Sequence, residues 1–208
     1  GGCRGSKMQI PHVLHVAWLG STGVVPCGLL ERVREWGAAG ASWEVELWDD
    51  QRAESLDWQR SGFRWFLREG EEGRTALLRH EVLLRHGGLF LPSGWLPIGS
   101  QPLASWLGSA RRATEGQEEA LALTAPLGDQ VVGAPPGHPL LYAIRARLQA
   151  LATEGYALER GLPEKSGPSW EVHGRLAEWQ ALHGGWRGHV PLPRDALTEV
   201  SLSPLSSL

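Results

Sequence analysis

An acidic pair, Asp49 and Asp50, directly follows a segment in which apolar and polar residues alternate. That segment, residues 43–48, is predicted as a half-buried strand, because successive side chains of a strand point to opposite faces. Carboxylates at the end of a strand could contact a ligand. The same residue types also cap helices and form turns, which is their more common use. The pair is therefore a candidate site with a structural alternative.

Several polar groups lie on a segment with helical periodicity, residues 71–86. Arg79 could bind a phosphate through two of its guanidinium nitrogens, or it could pair with a side chain one turn away. His80 and His86 do not form a zinc motif, because six residues place the second ring about 240° around the helix from the first. The remaining histidines are dispersed and are predicted to be structural: His12, His15, His138, His173, His183 and His189.

The same segment predicts a helix that leads directly into a buried strand. Apolar residues recur at three- and four-residue steps over residues 74–86, and Gly87 and Gly88 then provide the conformation that ends a helix. A short apolar strand follows at residues 88–91, and Pro92 ends it. Ligands of open α/β sheets bind at the carboxyl ends of such strands, so whatever follows this strand is a candidate binding segment.

The remaining sequence predicts further elements of a single domain. Strands are expected at residues 10–18, 120–124 and 130–133. Helices are expected at residues 26–39, 57–69, 101–112 and 139–151, and after Ser169. The inner face of the helix at 139–151 is predicted to carry Leu140, Leu141, Ile144, Leu148 and Leu151. We expect residues 1–7 to be a remnant of expression cloning, residues 8–200 to form the domain and residues 201–208 to be a flexible tail.

The segment around the two glycines resembles a motif of one enzyme family. It reads Thr75-Ala76-Leu77-Leu78-Arg79-His80, then Leu83, then Gly87-Gly88-Leu89-Phe90-Leu91-Pro92-Ser93-Gly94. This spacing matches, without a gap, the pattern A-x-x-S-D-L-L-R-Y-x-x-L-x-x-x-G-G-I-Y-L-D-x-D of A-type-fold glycosyltransferases with a sugar-binding D-x-D region. That group includes mannosyltransferases, bacterial capsule and lipopolysaccharide transferases and the large clostridial toxins.

Weaker matches extend the resemblance from Ile10 to about Pro193. The start of the chain is similar to the family segment I-P-K-x-I-H-x-x-W-x-G, through Ile10, Pro11, His15, Trp18 and Gly20. Asp49 and Asp50 correspond to a W-x-D-D element that closes the second strand of the family, and residues 133–139 are similar to its G-A-x-x-G-H-P element.

The resemblance implies a Rossmann-like GT-A glycosyltransferase fold, with a mostly parallel central sheet flanked by helices, and a nucleotide-sugar donor. However, the acids of the family pattern are replaced by Ala76, Pro92 and Gly94. Pro92 and Gly94 offer no side-chain ligand and Ser93 offers one neutral hydroxyl, so we expect no divalent metal and no other cofactor. The chain is then either a metal-independent, hexosyltransferase-like enzyme with an unknown acceptor or an inactive pseudoenzyme that serves as a binding or scaffold module.

The resemblance also implies where a donor would bind. In the toxin branch, a Trp at the position of Trp18 stacks on the uracil of the donor, although Trp18 could equally close the end of a core strand. Arg79 stands where relatives use an Arg to contact the donor. The turn formed by Pro92, Ser93, Gly94 and Trp95 would face the donor, and Asp49, Asp50 and Trp186 are further candidates. No catalytic residue is indicated.

Composition narrows the range of partners. A formal net charge of −3, with scattered basic residues, predicts no nucleic-acid partner. No apolar run approaches the roughly 20 residues that span a bilayer. Two cysteines without a C-x-x-C motif suit a reducing cytoplasm. Eleven tryptophans are unusual at this length; most are expected to pack, and a Trp-rich surface could bind a sugar or a protein partner.

Overall fold

The structure is a computed structural model that describes residues 10–20, 25, 28–38, 43–58, 70–91, 95–97, 122–124, 131–158, 189–191 and 197–199. These residues form a mixed α/β fold in which helices flank a central sheet, which confirms the predicted fold class. In chain order the elements are β1 (Val13–Trp18), α1 (Leu29–Ala38), β2 (Glu44–Asp49), α2 (Asp50–Glu54), α3 (Glu71–His86), β3 (Gly88–Leu91), β4 (Trp95–Pro97), β5 (Ala122–Thr124), β6 (Val131–Ala134), α4 (Pro139–Leu158), β7 (His189–Pro191) and β8 (Leu197–Glu199).

The central sheet has the strand order β2-β1-β3-β6-β5-β7. Strand β1 pairs in parallel with both β2 and β3, and β5 pairs in parallel with β7. Strand β6 is antiparallel to both of its neighbours, β3 and β5. Three of the five pairings in the described part of this sheet are therefore parallel. Strands β4 and β8 form a separate antiparallel pair.

Helix α3 and strand β3 form the centre of the molecule, as the sequence predicts. The helix covers Glu71–His86 and the strand begins two residues later at Gly88. Strand β3 lies between β1 and β6 rather than at a sheet edge. All four of its residues are buried, which explains why the strand is continuously apolar rather than alternating.

Gly87 and Gly88 form a junction between α3 and β3 that only glycine fits; we call it the Gly-Gly junction. Their φ angles are 65° and 97°, in the left-handed range. A Cβ atom at Gly88 would lie 2.5 Å from the carbonyl oxygen of Val13 in β1. One at Gly87 would lie 2.6 Å from Pro136, in the turn that leads into α4. The backbones therefore approach too closely for any side chain.

Other predicted elements differ in their bounds. Helix α1 begins at Leu29, later than predicted, and α4 continues to Leu158. The short helix α2 was not predicted, because only Ala53 of its five residues is buried and no apolar period marks it. The helices predicted at 101–112 and after Ser169, and all but the first two residues of the one at 57–69, lie outside the described residues.

The core lies between α3, α4 and the sheet. Leu140, Leu141, Ile144 and Leu148 of α4 are buried, which confirms most of its predicted inner face. A buried carboxylate also joins the two helices: Glu81 of α3 is 1% exposed and forms ion pairs with Arg85, one turn away, and with Arg145 of α4 at 3.8 Å. The α3–α4 interface thus contains a charged contact beside the apolar core.

Candidate functional site

The carboxyl ends of β1, β2 and β3 meet at one edge of the sheet. Trp18 is paired with Asp49, and Val16 is paired with Leu91. Because the three strands are parallel, the chain leaves the sheet on the same side after Trp18, Asp49 and Leu91. We call this region the carboxyl edge. It is the part of an open α/β sheet at which ligands usually bind.

Trp18 is the last residue of β1 and is half-buried. The next residue, Leu19, is fully buried and anchors the strand end in the core. Part of the Trp18 side chain is therefore accessible at the carboxyl edge. This placement is compatible with both predicted roles, a stacking surface for a base and a residue that closes the core.

The predicted donor turn begins at the carboxyl edge. Strand β3 ends there at Leu91, and Trp95 is the first residue of β4. Pro92, Ser93 and Gly94 between them lie outside the described residues, as does Trp186.

Asp50 fixes the turn that follows β1. Its two carboxylate oxygens accept from the backbone N–H of Gly20 at 3.0 and 3.3 Å. The same carboxylate forms an ion pair with Arg74 in the first turn of α3. Gly20 has a φ of 73°, and the side chain of Glu71 lies against it, so that a Cβ atom there would be 2.9 Å from the Glu71 carboxylate. Asp50 therefore connects the turn after β1 to the start of α3.

Asp49 is the N-cap of α2. Its carboxylate accepts from the backbone N–H of Arg52 at 2.8 Å, and its backbone is extended, as expected of a cap residue. The structure therefore shows the helix-capping role that the sequence predicts as an alternative for Asp49. Both acids of the pair have structural partners at the carboxyl edge.

Arg79 lies deeper in the molecule than the carboxyl edge. It is 2% exposed and stands eight residues after Glu71, which is about 12 Å along the helix axis. The neighbouring Ala76 belongs to the hydrophobic core. Arg74 lies at the edge instead, where it pairs with Asp50, although the sequence did not single it out as a site residue. Burial lowers the pKa of Arg74, but its guanidinium remains cationic.

His15 of β1 contacts both Trp48 of β2 and Gly87 at the end of α3. We call these three residues the His15 pin. The ring is 1% exposed. Its Nε2–H donates to the carbonyl oxygen of Gly87 at 2.9 Å, and its Nδ1 accepts from the indole N–H of Trp48 at 3.1 Å. Burial lowers the pKa of His15 from 6.5 to about 4. The predicted structural role of this histidine agrees with these contacts, although its partners could not be predicted.

Two kinds of structure are absent from the described ranges, a metal-binding cluster and a membrane-spanning helix. Among those residues, no three His, Cys, Asp or Glu side chains are grouped so that they could hold a metal ion. Within the same ranges, no helix combines the length and the apolar character needed to cross a membrane.

Comparison with known proteins gives a weak structural similarity. No protein-family model matches the sequence, and no curated protein matches it significantly. Among solved structures, a chain described as "PaToxG Glycosyltransferase" is similar, with a TM-score of 0.48 and 12% sequence identity over 84% of this chain and 69% of that chain. The similarity is to the fold of a glycosyltransferase and is weak.

Proposed function

We propose that residues 8–200 form a glycosyltransferase-like domain that binds a nucleotide sugar at the carboxyl edge without a divalent metal. The observation that carries this proposal is the junction of α3 with the central strand β3, because the family motif spacing falls on it without a gap. Trp18 and the chain after Leu91 leave the sheet at the same edge, as a donor site of this type requires.

In this proposal Trp18 stacks on the base of the donor, and the turn of Pro92, Ser93, Gly94 and Trp95 faces its diphosphate and sugar. The half-buried position of Trp18 supports its role, because a stacking surface must be held rigidly and still be accessible. Trp186 is a further candidate for sugar contact, on the sequence alone.

The available side chains do not fit the divalent metal of the related transferases. Mg²⁺ or Mn²⁺ binds one or two protein carboxylates together with the substrate phosphates, and the two positions of the D-x-D acids are Pro92 and Gly94. Two acids in the described part of the carboxyl edge are engaged elsewhere, Asp49 in capping α2 and Asp50 with Gly20 and Arg74.

Without a metal, cationic side chains must stabilise the charge that develops on a leaving nucleoside diphosphate. Arg79 is the candidate from the family pattern, and Arg111 and Arg112 are further basic residues of the chain. Arg79 would have to be uncovered by a change in its surroundings, since it is 2% exposed.

A second candidate function is a pseudoenzyme that uses the same fold as a binding or scaffold module, with a protein partner at a Trp-rich surface. The burial of Ala76 in the core favours it, because an acid could not be restored there without burying a charge. The loss of acids at all three family positions points in the same direction.

Nucleotide-sugar binding is tested first by thermal denaturation with UDP, UDP-glucose and GDP-mannose, in EDTA and in Mn²⁺. A ligand that binds the native state raises the melting temperature, and we expect this rise to be the same in EDTA and Mn²⁺. If none of these ligands raises the melting temperature, the donor-binding proposal is wrong. Sugar transfer that Mn²⁺ stimulates would contradict its metal-independence.

Replacing Trp18 locates the site. Trp18→Ala should weaken nucleotide affinity by about 1–3 kcal/mol, the usual contribution of aromatic–base stacking. The matched control is Trp43→Ala, since Trp43 is buried at the opposite, amino end of β2. Isothermal calorimetry measures both variants. Equal losses would mean that Trp18 acts only through packing.

The double substitution Pro92→Asp with Gly94→Asp separates the two candidate functions. If the remaining site is intact, the restored carboxylates should create Mn²⁺-dependent hydrolysis of the donor. No gain, in a variant that still binds the nucleotide, would favour the pseudoenzyme. Release of the free sugar is the measurement.

A further inference from the structure

The two hydrogen bonds of His15 fix its protonation state. An imidazole with its proton on Nε2 donates to Gly87 and accepts from Trp48, and both of these bonds are present. The imidazolium form carries a proton on each nitrogen and cannot accept. A proton added at Nδ1 would face the indole N–H of Trp48 at 3.1 Å, with the ring 1% exposed. Protonation is thus incompatible with this arrangement.

The charged and titratable groups around His15 come from three elements. Glu46 of β2 favours a positive charge on His15, whereas Arg52 of α2 and His86 of α3 oppose it. The Arg52 guanidinium lies 4.2 Å above the Trp48 ring and pairs with Glu46. The His86 ring is 6.1 Å from that of His15. Because Glu46 already forms an ion pair with Arg52, it does not compensate a further positive charge on His15.

Trp48 connects the His15 pin to the carboxyl edge through the chain. It is followed directly by Asp49, which caps α2, and by Asp50, which holds the Gly20 turn. We call residues 48–52 the β2–α2 corner. Trp48 is 3% exposed, so displacing its side chain requires this corner to move.

We propose that His15 is an acid-sensitive latch: its protonation breaks the bond to Trp48 and releases the β2–α2 corner, and with it the Gly20 turn beside Trp18. The opening is local and reversible. It requires no ligand, and it holds whether or not the carboxyl edge binds a nucleotide sugar.

The pH range over which the latch opens follows from the pKa of His15 in the closed state and in the open state. In the closed state burial lowers the pKa of His15 to about 4, and in an open state the ring would titrate near its ordinary 6.5. The latch is therefore closed at neutral pH, and opening becomes more favourable as the pH falls from 6.5 towards 4.

Nuclear magnetic resonance of the ¹⁵N-labelled full chain tests the proposal. Three signals should change together between pH 6.5 and 4, with one midpoint: the His15 ring nitrogens, the Trp48 indole N–H and the Gly20 amide. The amides of β3 should keep their native shifts through this transition, and neutralisation should restore all signals. A Trp48 signal that is unchanged at pH 4, or global unfolding at the same midpoint, would overturn the latch.

Three substitutions identify the group that titrates. His15→Asn keeps an acceptor for the Trp48 indole but cannot be protonated, so the transition should disappear. His12→Asn changes an exposed histidine that stacks on Trp43 instead, and the transition should remain. Asp50→Asn removes the carboxylate that binds Gly20, and the Trp48 signal should still respond.

Persistence of the transition in His15→Asn, or its loss in Asp50→Asn, would assign it to another group and refute the proposal. If His15→Asn does not fold, the wild-type midpoint shared by His15 and Trp48 and the response of Asp50→Asn decide between the two outcomes.

Discussion

The two ends of the parallel strands are stabilised in different ways. At the Gly-Gly junction buried atoms, most of them backbone atoms, lie so close to the two glycines that no Cβ atom fits. At the carboxyl edge the contacts are between partly exposed charged side chains, such as Asp50 and Arg74. A backbone junction tolerates almost no change, whereas charged surface contacts contribute little each and can rearrange. Substitutions at the junction are therefore expected to affect stability more than substitutions at the carboxyl edge.

The largest effect is expected from Gly88→Ala at the junction. The new Cβ atom would lie 2.5 Å from the Val13 carbonyl, at a φ of 97°. Backbone strain and steric overlap together should cost roughly 4 kcal/mol of unfolding free energy. The control is Gly28→Ala, with a φ of 104° and no atom within 4 Å of the new Cβ. It should cost about 1–2 kcal/mol, for strain alone.

Guanidinium chloride denaturation measures both glycine variants. Equal losses would show that the close backbone approach is not what makes Gly88 necessary. A Gly88→Ala protein that does not fold at all, beside a folded Gly28→Ala protein, agrees with the prediction.

An intermediate effect is expected from acid at the His15 pin. The pKa of His15 is lowered in the folded protein to about 4 from 6.5, so the unfolded chain binds the proton more tightly. This stability is fully present above pH 6.5 and is lost as the pH falls towards 4. Between pH 7 and pH 4.5 the loss should be at most about 2.5 kcal/mol, because His15 is still only partly protonated in the closed state and local opening of the latch reduces the difference. Urea denaturation at pH 7 and pH 4.5 measures it, and the loss in His15→Asn should be smaller than in the wild type or in His12→Asn.

The smallest effect is expected at the carboxyl edge. Asp50→Asn should cost about 1 kcal/mol, because it weakens the bonds to Gly20 and Arg74. Asp49→Asn should cost only a few tenths, since asparagine is an equally good N-cap. A double-mutant cycle of Asp50→Asn with Arg74→Met should give a coupling of about 0.5–1 kcal/mol. Zero coupling would mean that the Asp50–Arg74 ion pair contributes nothing to stability.

The sequence predicted the central elements because their signals are local. The apolar stripe of α3, the two glycines after it and the apolar run of β3 all lie within one short segment, and each constrains the backbone directly. Helix α2 could not be predicted, because its five residues carry no apolar period. The N-cap role of Asp49 could be predicted as an alternative, because capping depends only on residues next to each other in the sequence.

The partners of the site residues could not be predicted. Asp50 contacts Gly20 and Arg74, and His15 contacts Trp48 and Gly87, all across separate elements. No spacing rule connects such positions. Arg79, which the family pattern predicts to contact a donor, is buried in α3, whereas Arg74 lies at the edge.

The sequence by itself determined which segments become the central helix and strand, and that the positions matching the acids of the D-x-D transferase pattern carry no acid. Both are properties of consecutive residues, through backbone preference and side-chain chemistry. Only the tertiary structure decided that Gly88 lies against Val13, that Asp50 is paired with Arg74 and that His15 is buried without a charge. The first two contacts depend on which segments, distant in sequence, the sheet and helices bring close together. The neutral state of His15 depends on how completely packing removes its ring from water.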